Sequence, residues 1–135
     1  MLKSGCINPE IMKAISLCGH GDQILIADGN YPLDAKTGGA HRVYLGLTAG
    51  VPEVTQVLET LLQNINVEKA EVMLPEDGST PEIFADFTRL LGGMALDGLD
   101  RWAFYGACCE PKVRLAISTG EKRVFANILL TVGVA

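Results

Sequence analysis

Histidine is the side chain best placed to pass a proton near neutral pH, and this chain has two, His20 and His41. His20 lies in Gly19-His20-Gly21-Asp22, which is followed by the apolar run Gln23 to Ala27 and then by Asp28. An imidazole at a turn could act as acid or base. A carboxylate where a covered strand leaves the sheet could hold a hydroxyl, and open α/β folds place ligands at strand carboxyl ends. Both residue types also have an ordinary reading. A turn histidine is a solvated or capping residue, and Asp22 and Asp28 are common turn residues. On spacing alone the ordinary reading weighs more.

Other chemistries find little support. There is no G-x-x-x-x-G-K-[ST] cradle, and Gly38-Gly39 and Gly92-Gly93 lack the strand-turn-helix setting of a dinucleotide site. The serine elbow G-x-S-x-G is missing. His20, Asp22 and Asp28 would make a poor metal site, so no metal and no organic cofactor are expected. The four cysteines, Cys6, Cys18, Cys108 and Cys109, form no C-x-x-C pair and read as small apolar residues in a reducing compartment. A net charge of −5 with basic residues scattered singly, Lys122-Arg123 apart, argues against nucleic acid as a partner. No run approaches a membrane span and no signal-peptide pattern opens the chain, so a cytoplasmic protein is expected.

The elements that must position these residues follow from periodicity. Asn8-Pro9-Glu10 opens a helix with the apolar stripe Ile11, Met12, Ile15 and Cys18, and Gly19 is expected as its left-handed cap. Gln23 to Ala27 reads as a strand covered on both faces. Asp28 to Pro32 is turn, residues 33–40 are loop, and His41 to Leu47 is a second strand. A helix starting at Val51-Pro52-Glu53 carries Val54, Val57, Leu58, Leu61, Leu62 and Ile65. Val67 to Leu74 is a third strand, and Thr80 is expected to cap a helix that Gly92-Gly93 stops. Arg101 to Cys109 fits a strand or a short helix starting near Asp100. Val113 to Ser118 and Ala126 to Val132 are strands, joined too closely for a crossover helix, so they form a hairpin or the last pairs elsewhere. The whole reads as one α/β domain over residues 1–135, its sheet mostly parallel with helices on both faces. A 48% apolar content and a mean hydropathy of +0.25 suggest surface hidden in an oligomer.

An ordered set of motifs resembles a known family. Gly19-His20-Gly21-Asp22, Ala27 to Pro32, Gly50-Val51-Pro52, Arg101-Trp102-Ala103-Phe104-Tyr105, Thr119-Gly120-Glu121, Phe125 to Leu130 and Gly133-Val134 look like the D-ribose pyranase / L-fucose mutarotase family. The R-x-A-F-Y and T-G-E stretches lean to the fucose branch, and A-N-I leans to the ribose branch. The resemblance implies a three-layer α/β/α, Rossmann-like fold and ring-like homo-oligomers such as decamers, with the sugar site near a subunit boundary. It implies interconversion of the cyclic forms of a free monosaccharide, L-fucose before D-ribose, without cofactor. By position, His20 matches the general acid, Asp28 a sugar-binding carboxylate and Arg101 the substrate arginine of the fucose branch. Phe125, Ala126 and Asn127 match a sugar-contacting tripeptide. Phe125 stands where members have tyrosine and Asn30 where the fucose branch has histidine. The span from Arg101 to the tripeptide is about two residues longer than in the family. Tyr31 or Tyr105 is a candidate source of the lost phenol.

The chemistry asked of these residues is modest. Ring opening of a hemiacetal takes one proton from the anomeric hydroxyl and gives one to the ring oxygen, and a positioned acid or base contributes ~10²–10⁴-fold. A protein of the same fold that binds sugar without catalysis is the second reading, fed by Phe125. A small nucleotide-binding domain is a third.

Overall fold

The computed structural model describes residues 1–135. Asn8 caps α1 (Pro9–Leu17), its Oδ1 accepting the Ile11 N–H at 3.0 Å, and the helix buries Ile11, Ala14 and Ile15. The chain leaves α1 through Cys18 in extended conformation. The left-handed residue is Gly21, with φ 89°, and not Gly19. The cause is a turn: Asp22 N–H bonds to Gly19 O at 3.1 Å, and Asp22 Oδ2 accepts the Gly19 N–H at 2.8 Å. Gly21 is its third residue, where a type II turn needs positive φ.

Then follow β1 (Gln23–Ala27), β2 (His41–Tyr44), α2 (Val54–Leu62), β3 (Val67–Met73), α3 (Ile83–Leu90), β4 (Leu96–Leu99), α4 (Arg101–Cys108), β5 (Val113–Ser118) and β6 (Ile128–Val132). The six strands form one sheet in the order β2-β5-β1-β6-β3-β4. The pairs β2/β5, β5/β1 and β3/β4 are parallel, and β6 runs antiparallel between β1 and β3. The sheet is therefore mostly parallel, as its unbroken apolar strands require. β5 and β6 do not form a hairpin, because β1 lies between them.

Alternation along the strands splits the core into two layers. Ile24, Ile26, Leu115, Ile117, Ile128 and Leu130 face α1, α2 and α3. Leu25, Ala27, Ala116, Leu129 and Met73 face Phe104 and Cys108 of α4 and the connector residues Tyr31, Leu33 and Ala40. The sandwich is lopsided: three helices cover one face, while one helix and a packed loop cover the other.

Several expected boundaries move. α2 begins at Val54, where Gln56 Oε1 accepts the Glu53 N–H at 2.8 Å, so Val51 and Pro52 stay outside. α3 begins at Ile83 after Glu82, and Thr80 does not cap it. The ambiguous segment is helix, since Asp100 Oδ1 accepts the Ala103 N–H at 2.8 Å. β4 is an edge strand with no expectation behind it.

Candidate functional site

Parallel strands β1 and β5 end side by side, and the residues after them lock together. Thr119 donates its backbone N–H and its hydroxyl to Ala27 O, at 3.1 and 2.8 Å. Asp28 donates its N–H to Asn127 Oδ1 at 2.8 Å, and its Oδ2 accepts from Asn127 Nδ2 and Ala126 N, both at 3.2 Å. Asp28 Oδ1 accepts the Asn30 N–H at 2.9 Å. Asp28 is only 2% exposed. Burial lifts its carboxyl above the usual range, against the hydrogen bonds from Asn30, Ala126, Tyr31 and Asn127.

The loop between β5 and β6 wraps this cluster. Gly120 has no room for a side chain, because a Cβ would meet Thr48 O and Val51 O. Glu121 is buried and Arg123 bonds to it through its backbone N–H and its guanidinium. Phe125 follows with φ 58°, the one non-glycine residue in left-handed conformation, which costs about 1–2 kcal/mol. Its ring lies 5.8 Å from the Arg101 guanidinium carbon. Arg101 starts α4, its Nε is buried without a partner, and it makes no ion pair in the chain. Phe125 also lines a cleft of about 410 Å³ with Asp77, Ser79 and Arg123. Another cleft, of about 460 Å³, lies against Asn30, Thr48 and Lys122. It has no aromatic wall, so we place the site on the Phe125 side.

Asp28, Arg101, Phe125, Ala126 and Asn127 thus come together. His20 does not join them within one chain. It precedes β1 while Asp28 follows it, and a five-residue strand spans about 16 Å. For the same reason His20, Asp22 and Asp28 do not converge as metal ligands would. His20 Nε2 contacts Glu68 Oε2 at 2.9 Å, and its side chain is 58% exposed. It borders a cleft of about 390 Å³ with Cys18, Asn64, Asn66 and Val132. His41, the other imidazole, pairs with Glu10 at 2.9 Å.

One expectation about the aromatic residues changes. Tyr31 cannot supply the missing phenol, since its hydroxyl donates to Lys36 O at 2.9 Å beneath α4 and it is buried. Trp102 faces solvent. It is 68% exposed and packs edge-on against Tyr105 at 5.9 Å. Tyr105 in turn meets Tyr31 at 5.5 Å and lies under Lys36. The cysteines are free, and burial pushes the Cys108 thiol up to about 12, which makes it inert as a nucleophile. Sequence reasoning missed Glu68, Glu121 and Arg123. Thr119-Gly120-Glu121, which reads as a turn, and the Lys122-Arg123 doublet, which reads only as a break in the scattered basic residues, were the available signals.

The sequence matches the RbsD / FucU transport protein family over residues 1–135. A D-ribose pyranase of Streptomyces coelicolor is 33% identical over 134 residues, covering 99% of this chain and 98% of the relative. The structure resembles Bacillus subtilis RbsD complexed with D-ribose, with TM-score 0.87 and 27% identity over 100% of this chain and 99% of that one. It also resembles the fucose mutarotase of Streptococcus pneumoniae in complex with L-fucose, with TM-score 0.81 and 26% identity over 96% of this chain and 94% of that one.

Proposed function

Because the chain belongs to the RbsD / FucU transport protein family, we propose that it is an isomerase that interconverts cyclic forms of a free aldose. The observation that carries the reading is Arg101. An unpaired guanidinium faces an aromatic ring next to a buried, hydrogen-bonded Asp28–Asn127 pair. Hydroxyl oxygens would satisfy the guanidinium, and the ring would cover the apolar face of a sugar. Asp28 Oδ1 keeps acceptor capacity beyond its bond to Asn30, enough to hold one hydroxyl.

A proton carrier must enter from outside this cluster, and of the chain's two imidazoles the family resemblance singles out His20. The reading therefore includes a homo-oligomer in which His20 of a second copy approaches the Asp28 end of the first. Protonated His20 would give its proton to the ring oxygen while the anomeric hydroxyl passes its own proton to solvent water, from which the ring nitrogen is reprotonated. The open aldehyde would rotate and close on either face. Arg101 would stabilise the charge developing on oxygen. No metal or organic cofactor takes part in these steps. Four free thiols fit a reducing, cytoplasmic setting, and no helix is long and apolar enough to cross a membrane.

L-fucose is the sugar favoured by Arg101-Trp102-Ala103-Phe104-Tyr105 and Thr119-Gly120-Glu121. D-ribose is the second reading, favoured by the name of the curated relative and by the ribose-bound structure. Saturation-transfer NMR on both sugars decides. Faster anomer exchange on either supports the isomerase, and the sugar with the larger acceleration is the substrate. Tight binding without acceleration of either would leave a binding protein and defeat the proposal.

A further inference from the structure

We propose that Arg123 is a positioning residue that sets the Phe125 ring through the buried Glu121 carboxylate; the inference rests on the sugar pocket described above. Left-handed backbone is unfavourable for phenylalanine, so its neighbours must impose it. On the C-terminal side the anchor is Asp28, which holds the Ala126 N–H and the Asn127 amide. On the N-terminal side the anchor is Arg123. Its backbone N–H and its Nε both donate to Glu121 Oε1 at 3.0 Å, and its Nη2 donates to Glu121 Oε2 at 2.9 Å.

The receiving carboxylate is itself fixed. Glu121 is 3% exposed, its Oε2 accepts the Val54 N–H at the start of α2 at 3.4 Å, and its own N–H donates to Thr119 Oγ1 at 3.2 Å. Arg123 Nη1 reaches Asp86 of α3 at 3.4 Å. The residue two before Phe125 is thus tied to two helices. Arg123 lines the same cleft as Phe125, yet each of its three guanidinium nitrogens is already engaged within the chain. It therefore acts on a ligand through Phe125. The planar fork suits this task; a lysine, as a point charge, could not chelate both oxygens.

The test compares Arg123→Met and Arg123→Lys with the unaltered chain in two readouts. One is amide hydrogen exchange at Ala126, followed by NMR. The other is the sugar-concentration dependence of anomer exchange. In the methionine variant, Ala126 exchange should accelerate and KM should rise, each about tenfold or more, while kcat changes less than about threefold. The lysine variant should fall between the two. Should the methionine variant prove unfolded by circular dichroism, the lysine variant carries the test with the same signs. Unchanged Ala126 exchange, or a kcat loss as large as the KM rise, would overturn the proposal. An unaltered chain that accelerates no sugar would defeat the functional reading alone, and the Ala126 exchange rate would still decide the clamp.

Discussion

The two ends of β1 are built on opposite plans. At its C-terminal end Asp28 is enclosed by four hydrogen bonds, from Asn30, Ala126 and Asn127 to its carboxylate and from its own N–H to Asn127. At its N-terminal end His20 has one side-chain contact, with Glu68, and more than half of it meets solvent. The contrast separates two demands on a sugar isomerase. Groups that recognise hydroxyls must hold still, because precision comes from locked partners. In the proposed reading His20 is a proton carrier completed by a second copy, and such a group can be loosely held in its own chain.

The largest expected effect lies at the loose end. His20→Ala should fold as the unaltered chain does, since it removes an exposed side chain, and should slow anomer exchange by ~10²–10⁴-fold. Mixing experiments sharpen this. If the site spans two copies, His20→Ala and Arg101→Ala chains, each inactive alone, should regain part of the activity when reassembled together. Saturation-transfer NMR before and after unfolding and joint refolding measures it. No recovery would overturn the two-copy site.

The next effect belongs to the rigid end and appears in stability. In Asp28→Asn one oxygen becomes an NH₂ group, which would face both the Ala126 N–H and the Asn127 NH₂ or, with the amide turned over, the Asn30 N–H, in either case a donor against a donor. A buried donor left unpaired costs about 1–3 kcal/mol, read as a lower urea midpoint. The same substitution at exposed Asp97 should change nothing measurable.

How much of this was legible in the sequence follows the same division. β1, α1, β3 and β5 were readable because their apolar patterns are local. β4 was not: Leu96-Asp97-Gly98-Leu99 is a half-exposed edge strand that owes its pairing to β3. The place of β6 was open because pairing between distant strands leaves no mark at fixed spacing. At the site, Asp28, Arg101 and Phe125 to Asn127 could be named from motifs, and they do assemble. That His20 stands a strand's length away was implicit in residue order, since it precedes β1 and Asp28 follows it. The Glu121–Arg123 clamp was illegible, because a short loop with three charges looks like any solvated turn until its burial is known.

The two buried carboxylates of the rigid end should also oppose each other in pH dependence. Burial raises Glu121, but the bonds and charge of Arg123 outweigh it, and its carboxyl ends below the usual value of 4.5. Its stabilising contribution is therefore complete at neutral pH and is lost as pH falls below 4.5 through the folded value. Asp28 is raised above 3.8, so the fold binds its proton more readily than the unfolded chain does. That group gives slightly more stability on first acidification. Urea midpoints from neutral pH down to about 3 should thus rise weakly and then fall, and Glu121→Gln should remove most of the fall. A monotonic decline that the variant leaves unchanged would assign acid sensitivity elsewhere.

The smallest effect expected on stability is at Glu68. Its contact with His20 joins two side chains that are 45% and 58% exposed, and such pairs contribute about 0.2–1 kcal/mol. Glu68→Gln should therefore leave the thermal midpoint nearly unchanged. Activity can respond differently, because the carboxylate is the one group in the chain that orients the imidazole. If that orientation persists in the assembled site, exchange should slow by several-fold at constant stability. If the second copy supplies its own partner to His20, Glu68→Gln should leave the rate intact. Either result locates the forces that hold the His20 ring: within its own chain, or in a second copy.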